Sequence, residues 1–168
     1  MKIQIDQLSH TYRVVRLTEN QLEDIYALCQ GNPFYFERMK SPVTYDSIRN
    51  DMTALPPGKE ASDKYYVGFY DGDRLIAIMD IIDGYPEAET AYIGLFMTAA
   101  DVQGRGVGTQ IVSDMLHYMK QLGFTTAKLG YVKDNPQSEH FWYKNNFAPS
   151  GSESVREDYT VIPMARSL

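Results

Sequence analysis

Residues 101–110 read DVQGRGVGTQ, with Gly104, Gly106 and Gly108 at alternate positions and Arg105 and Val107 between them. The stretch follows an apolar, β-like run, TAYIGLFMT at residues 90–98. After it, Ile111, Met115, Met119 and Leu122, joined by Val112 and Leu116, recur at helical spacing until Lys120 and Gly123 signal a C-terminus. AKLGYV at residues 127–132 is the next strand. Strand, glycine loop, helix and strand make a βαβ crossover, so the two strands are expected to run parallel with a right-handed connection.

Three glycines where a helix opens suit an anion. The first N–H groups of a helix have no intrahelical partner, the helix dipole favours negative charge there, and glycine removes side chains that would block approach. A pyrophosphate fits this pattern, with Arg105 available for a charged contact. A nucleotide P-loop needs Lys followed by Ser or Thr at the end of the glycine run, where Gly108-Thr109 stand instead. A dinucleotide fingerprint needs G-x-G-x-x-G within repeated βαβ units, and here the spacing is G-x-G-x-G in a single unit.

Outward from the loop, the chain reads as α/β with a mixed sheet. Residues 11–17 alternate like a strand, and Thr18 with Gln21 forms a capping-box signal for a helix over residues 19–30, stopped by Gly31-Asn32-Pro33. A second helix, capped by Thr44, is expected to end at Pro56-Pro57-Gly58. Two β-rich runs flank Asp71-Gly72, a dipeptide suited to a tight hairpin whose central residues need positive φ. Asn135-Pro136 starts another helix, Asn146 suits its left-handed end, and Phe147 opens a terminal strand whose hairpin partner is DYTVIPMAR.

Composition narrows the class. The 168 residues, 43% of them hydrophobic, suit one domain spanning 1–168, and neither Leu75 to Met79 nor the N-terminal stretch has the apolar length of a membrane span or secretory signal. The expectation is a soluble, cytoplasmic protein. A net charge of −6 without a basic cluster disfavours nucleic acid and anionic membranes as partners. Cys29 is the sole cysteine, and the three histidines lack ligand spacing, so no disulfide and no metal is expected.

Gln103-x-x-Gly106-x-Gly108, set between TAYIGLFMT and its helix, resembles the acetyl-coenzyme A loop of the GNAT (GCN5-related) N-acetyltransferase superfamily. NPQSEHFWYKNNF at residues 135–147 resembles that family's later motif, with Asn135, Ser138, the pair Phe141-Trp142, Lys144 and Phe147 in their places. The order of elements agrees from about Tyr12 to Arg166. The resemblance implies a single-domain fold whose βαβ unit binds acetyl-CoA as co-substrate, without metal. It also implies direct acetyl transfer to a primary amine of a small molecule or peptide, with no covalent enzyme intermediate. Homodimerisation is common among such folds and stays open.

By the same resemblance, the backbone from Gln103 through Gly104, Arg105, Gly106, Val107 and Gly108 to Thr109 holds the pyrophosphate. Phe96, Met97 and Thr98 offer main-chain groups to the pantetheine arm, and N–H groups near Met97 and Thr98 polarise the carbonyl. Asn135, Ser138 and Trp142 complete the cofactor set, Asn135 serving equally well as a helix cap. Two catalytic positions depart from the family pattern. The tyrosine often proposed as general acid falls at Trp142, leaving Tyr143 beside it but rotated about a hundred degrees around the helix. The carboxylate that acts as base in some members falls at Tyr92. Glu87, Glu89, Asp80 and Asp83 are candidates to attract a cationic amine, while His117 and His140 read as surface residues and Cys29 as a buried apolar one. Two alternatives stand beside the enzyme: a coenzyme A-binding sensor of the same fold without turnover, and a nucleotide-binding switch resting on the glycine loop alone.

Overall fold

The computed structural model describes residues 2–168, in which strand β1 (Arg13–Arg16) leads to the turn at Thr18. The Thr18 hydroxyl accepts the Asn20 N–H at 3.3 Å, and Gln21 Oε1 accepts the Thr18 N–H at 2.8 Å, so the capping residues act as their spacing predicts. They open a tight turn over Glu19–Gln21, and α1 (Leu22–Gln30) follows later than the predicted start. The first helix does stop at Gln30, before Gly31-Asn32-Pro33, but Pro33 then opens an additional helix, α2 (Pro33–Arg38), because proline at a first helical position has φ preset and gives up no needed donor. Three helices therefore lie between β1 and the next strand, the third being α3 (Tyr45–Thr53). There the Thr44 hydroxyl accepts the Ser47 N–H at 2.9 Å, and the helix stops short of Pro56.

Strands β2 (Lys64–Asp71) and β3 (Arg74–Asp83) form the expected hairpin one residue out of place. Asp71 is the last strand residue, opposite Arg74, so Gly72 and Asp73 make the turn and Gly72 alone takes a positive φ, +61°. β4 (Thr90–Thr98) lies antiparallel to β3, and α4 (Val107–Leu122) carries the chain to β5 (Thr126–Val132), parallel to β4. α5 (Pro136–Lys144) is capped by Asn135, whose Oδ1 accepts the Ser138 N–H at 3.2 Å, and Asn146 turns left-handed beyond it. The strand expected from Phe147 shrinks to β6 (Ala148–Pro149), where Pro149 offers no donor and Gly151 soon turns the chain with φ +96°. Short β7 (Ser154–Val155) then leads into β8 (Thr160–Ser167), which pairs β5 along its length.

The sheet runs β1-β2-β3-β4-β5-β8-β6, with β7 also on β8. Its two faces follow strand alternation. Tyr65, Val67 and Phe69 pack with Ile111, Met115 and Met119 of α4, while Tyr66 and Tyr70 pack with Ile25 and Leu28 of α1 and Ile48 of α3. Two irregularities interrupt it. β3 carries an extra residue, Ile76, between partners of Tyr70 and Phe69, and β4 carries Gly94 between partners of Asp80 and Ile81. Among the described residues no helix is long and apolar enough to cross a membrane.

Candidate functional site

The βαβ unit opens where its two strands part. β4 and β5 are paired from Thr90 and Thr126 only as far as Ile93 and Leu129, after which β4 continues on β3 and β5 on β8. The Ala99 N–H donates to Ile76 O at 2.8 Å, so strand alternation turns the main-chain groups of Met97 toward β3 and those of Phe96 and Thr98 toward the open edge. Beyond Ala99 a tight turn over Ala100–Val102 leads into the loop, and Gly104 and Gly106 take φ of +76° and +79°. A Cβ at either would meet nothing within 4 Å, so the left-handed backbone, not packing, requires glycine. The first α4 bond runs from the Gln110 N–H to Gly106 O at 2.9 Å, which leaves the N–H groups of residues 107–109 without a helical acceptor.

Side-chain amides hold this loop in place. Gln103 Nε2 donates to Asn32 Oδ1 at 2.8 Å and to Thr98 O at 3.1 Å, and Gln103 Oε1 accepts from Gln137 at 2.9 Å. Asn32 Nδ2 in turn donates to Leu28 O and Thr98 O, both at 3.0 Å. The Thr98 carbonyl is thereby occupied by the protein, and its N–H remains for a ligand. Gln103 joins the end of α1, the edge of β4 and the start of α5.

A groove of about 370 Å³ runs from the loop along the open edge. It brings together Phe96, Met97, Thr98, Gln103, Gly104, Gly106, Gly108, Thr109, Asn135, Ser138 and Trp142. Arg105 is exposed and Val107 packs against the core, and neither side chain lines it. Phe96 is half-buried, stacked on Phe141 at 5.8 Å, and Trp142 fills the space between Phe141 and Phe147 at 4.8 and 5.2 Å. Asn135 is buried and spends its Oδ1 on the cap. The sequence reading did not single out Asn32 and Gln137, which line the groove together with Tyr35, and gave His140 only a surface role. Nothing local ties Asn32 to the site, because it reaches the edge of β4 from the end of α1, 66 residues before Thr98.

The two catalytic candidates lie apart from this groove. Tyr143 is 45% exposed on the outer side of α5, as the helical rotation from Trp142 dictates. Tyr92 sits where β4 and β5 are still paired, edge-on to Tyr85 at 5.3 Å, and burial raises its hydroxyl above the ordinary value. The residue standing where the cavities meet is Tyr35. It lines the groove, the slot between the parted strands, and a separate cavity beneath the helices. Burial, reinforced by Asp51, raises its hydroxyl well above the usual tyrosine range, so it stays protonated.

That separate cavity measures about 250 Å³ between α1, α2 and α3 on one side and β2, β3 and β4 on the other. Asp80 is 8% exposed in its wall, with Oδ2 2.7 Å from Lys64 Nζ. Asp80 Oδ1 is buried and has no hydrogen-bond partner among the described residues. Burial outweighs the lysine and raises the Asp80 carboxyl above its usual range. Asp51, on α3, faces the cavity while still open to solvent. Burial against the surrounding protein lifts it to about 6, with Lys64 pulling down and Asp80 pushing up. Cys29 also lines the wall, its thiol pushed up to about 12 by burial and by Asp51. The other sequence-derived acidic candidates are elsewhere: Glu87 pairs with Lys128 at 2.9 Å in solvent, and Glu89 is exposed. No His, Cys, Asp and Glu group among the described residues is arranged to hold a metal.

A groove at the parting of two parallel strands, with a glycine-bared helix start at one end and a second cavity at the other, is the architecture of an acyl-CoA-dependent acyltransferase. The sequence of residues 20–147 matches the acetyltransferase (GNAT) family, and the chain belongs to it. Membership makes the protein an acyl-CoA-dependent N-acetyltransferase at the level of the family. Solved structures share its fold. An acetyltransferase from Thermus thermophilus is similar at a TM-score of 0.75 and 21% identity, over 94% of this chain and 97% of that one. The PaiA N-acetyltransferase from Thermoplasma acidophilum, solved in complex with coenzyme A, is similar at 0.67 and 15%, over 94% and 99%. The ribosomal-protein-S18-alanine N-acetyltransferase from Escherichia coli is similar at 0.62 and 12%, over 93% of each chain. A comparison of the sequence with curated proteins finds no match.

Proposed function

We propose that the protein transfers an acetyl group from acetyl-CoA directly to a primary amine, with the groove as donor site and the cavity beneath the helices as acceptor site. The observation that carries this reading is their junction, where Tyr35 and Met97 line both spaces. The donor set fits a pyrophosphate-bearing thioester: free N–H groups at residues 107–109, glycines that bare them, and outward main-chain groups of Phe96 and Thr98 along the arm. Acetyl-CoA, when bound, supplies an activated thioester. The Thr98 N–H would be the main-chain donor available to charge developing on a carbonyl oxygen, a role that favours donors fixed in advance by the sheet.

An amine reaching the junction forms its N–C bond as the C–S bond breaks, releasing one proton at nitrogen and requiring one at sulfur. Tyr35 keeps a hydroxyl hydrogen at that point. Cys29, the sole cysteine, is held neutral by its surroundings and is no nucleophile, which supports transfer without an enzyme-bound acyl group. Titration calorimetry with acetyl-CoA, followed by a thiol-release assay across amines, tests the reading. Binding with release of coenzyme A upon amine addition is expected. Absence of binding overturns it, and binding without release for every amine turns the protein into a coenzyme A sensor.

A further inference from the structure

The wall of the acceptor cavity carries an uneven charge count. Asp80 and Asp51 face it, and the nearby cation, Lys64, is committed to Asp80 Oδ2 at 2.7 Å and is itself 5% exposed. The remaining titratable groups on the wall, Tyr35, Tyr66 and Cys29, are all pushed upward by burial and remain neutral. With both carboxylates ionised, the cavity is short of one positive charge. Asp80 Oδ1 is also buried without a partner among the described residues, a state that costs free energy unless something else supplies the donor.

The two carboxylates occupy different places. Asp80 lies against Gly94, whose ideal Cβ would stand 2.7 Å from its Oδ2, and Gly94 borders both the cavity and the slot between the parted strands. Asp51 comes from the helix side. The nitrogen that attacks the thioester must be uncharged when it does so; a carboxylate beside it that only stabilised the ammonium would oppose that, whereas one whose carboxyl burial raises, as at Asp80, accepts the proton the amine gives up. A positive charge elsewhere on the acceptor meets no such conflict.

We propose that the acceptor is a compact amine carrying a second positive charge, its reacting nitrogen beside Asp80 Oδ1 and its distal ammonium against Asp51. At about 250 Å³ the cavity falls below the roughly 300–1,000 Å³ of drug-sized ligand sites, so the acceptor or the part that enters is short. A carboxylate in place of the distal ammonium would face Asp51 and Asp80 with no free cation, and such amines are rejected.

This inference rests on the N-acetyltransferase reading, and its test separates the two. Diaminobutane, butylamine and aminobutyrate share one chain length and differ in the distal group. With acetyl-CoA saturating, diaminobutane is expected to exceed butylamine in kcat/KM by about ten- to a hundredfold, the scale of one charge-assisted hydrogen bond, and aminobutyrate to fall below both. Asp51→Asn should bring the kcat/KM of diaminobutane down to that of butylamine, so that the ratio between the two falls to about one. Equal use of diamine and monoamine, or a diamine preference that survives Asp51→Asn, overturns the inference and leaves the enzyme reading intact. Calorimetry of diaminobutane against wild type and Asp51→Asn covers a protein with no turnover. Binding lost in the variant supports the charged site even then, and equal or absent binding refutes it.

Discussion

Replacing Gly94 by alanine should strike Asp80 before anything else. The added methyl would sit 2.7 Å from Asp80 Oδ2 and 3.4 Å from its Cγ, well inside contact distance, while Asp80 Cβ stays at an ordinary 3.7 Å. Oδ2 is the oxygen that pairs with buried Lys64, so the carboxylate cannot swing aside without loosening that pair. Losing a buried pair by removing one partner costs about 3–5 kcal/mol, an upper bound for a carboxylate that is displaced rather than removed. Gly94→Ala should therefore lose about 2–4 kcal/mol, even though alanine in a strand is otherwise favoured over glycine by roughly 0.5–1 kcal/mol. In an Asp80→Ala background the clash is gone, and Gly94→Ala should be neutral or slightly stabilising. Urea unfolding of wild type, both single variants and the double variant gives the coupling, expected at about 2 kcal/mol or more. Equal cost for Gly94→Ala in the two backgrounds would refute the idea that Gly94 exists to admit the Asp80 carboxylate.

Further predictions concern the donor loop, the junction and pH. Gly106→Val forces a branched residue into φ +79°, with strain of about 1–2 kcal/mol if the loop holds its shape. Calorimetry should show acetyl-CoA binding weakened about tenfold or more, and unchanged affinity would remove the loop from the donor site. Tyr35→Phe should lower kcat by about tenfold, the scale of one hydrogen bond to the departing sulfur, with acetyl-CoA affinity retained. A full-rate variant would clear Tyr35 of that role. For pH, Asp51 near 6 exceeds its ordinary value near 4, so the folded protein holds that proton more tightly than the unfolded chain. Stability should then rise as pH falls from about 7 toward 4. Asp80, raised in the same direction, adds to the slope, and the lowered carboxyls of Asp63, Glu87 and Asp101 withdraw their contributions only at the acid end. Thermal melts of Asp51→Asn should show a shallower slope between those limits, and an unchanged one would contradict the assignment.

The donor half of the molecule is readable in the sequence because its determinants are local. Thr90 to Thr98, the glycine run, the apolar period from Ile111 to Met119 and the cap at Asn135 each act within a few residues of themselves, and they fall where spacing predicts. Tyr143 lies outside the groove for an equally local reason, one step of helical rotation. The amides of Asn32 and Gln103 are another matter. They meet across 71 residues because α1 ends against the edge of β4, and no pattern within either segment encodes that meeting.

The acceptor half depends on register, and register is where the sequence misleads. The hairpin turn sets Asp71 opposite Arg74 and Tyr70 opposite Leu75. Continued without interruption, that pairing places Asp80 across from Tyr65 and puts Lys64 on the opposite face of the sheet. Ile76, the extra residue in β3, shifts the pairing so that Asp80 faces Tyr66, two residues from Lys64 on the same side, and the ion pair becomes possible. Gly94 then repeats the device on the other flank of Asp80. The bulge at Ile76 thus carries one carboxylate from the side of the sheet packed by α4 to the side roofed by α1, α2 and α3, and the bulge at Gly94 leaves room for it there. A pairing that absorbed Ile76 into the ladder would return Asp80 to the α4 side, and the cavity would keep only the Asp51 carboxylate while the glycine loop held its form; deleting Ile76 instead would close the bulge with Asp80 still opposite Tyr66.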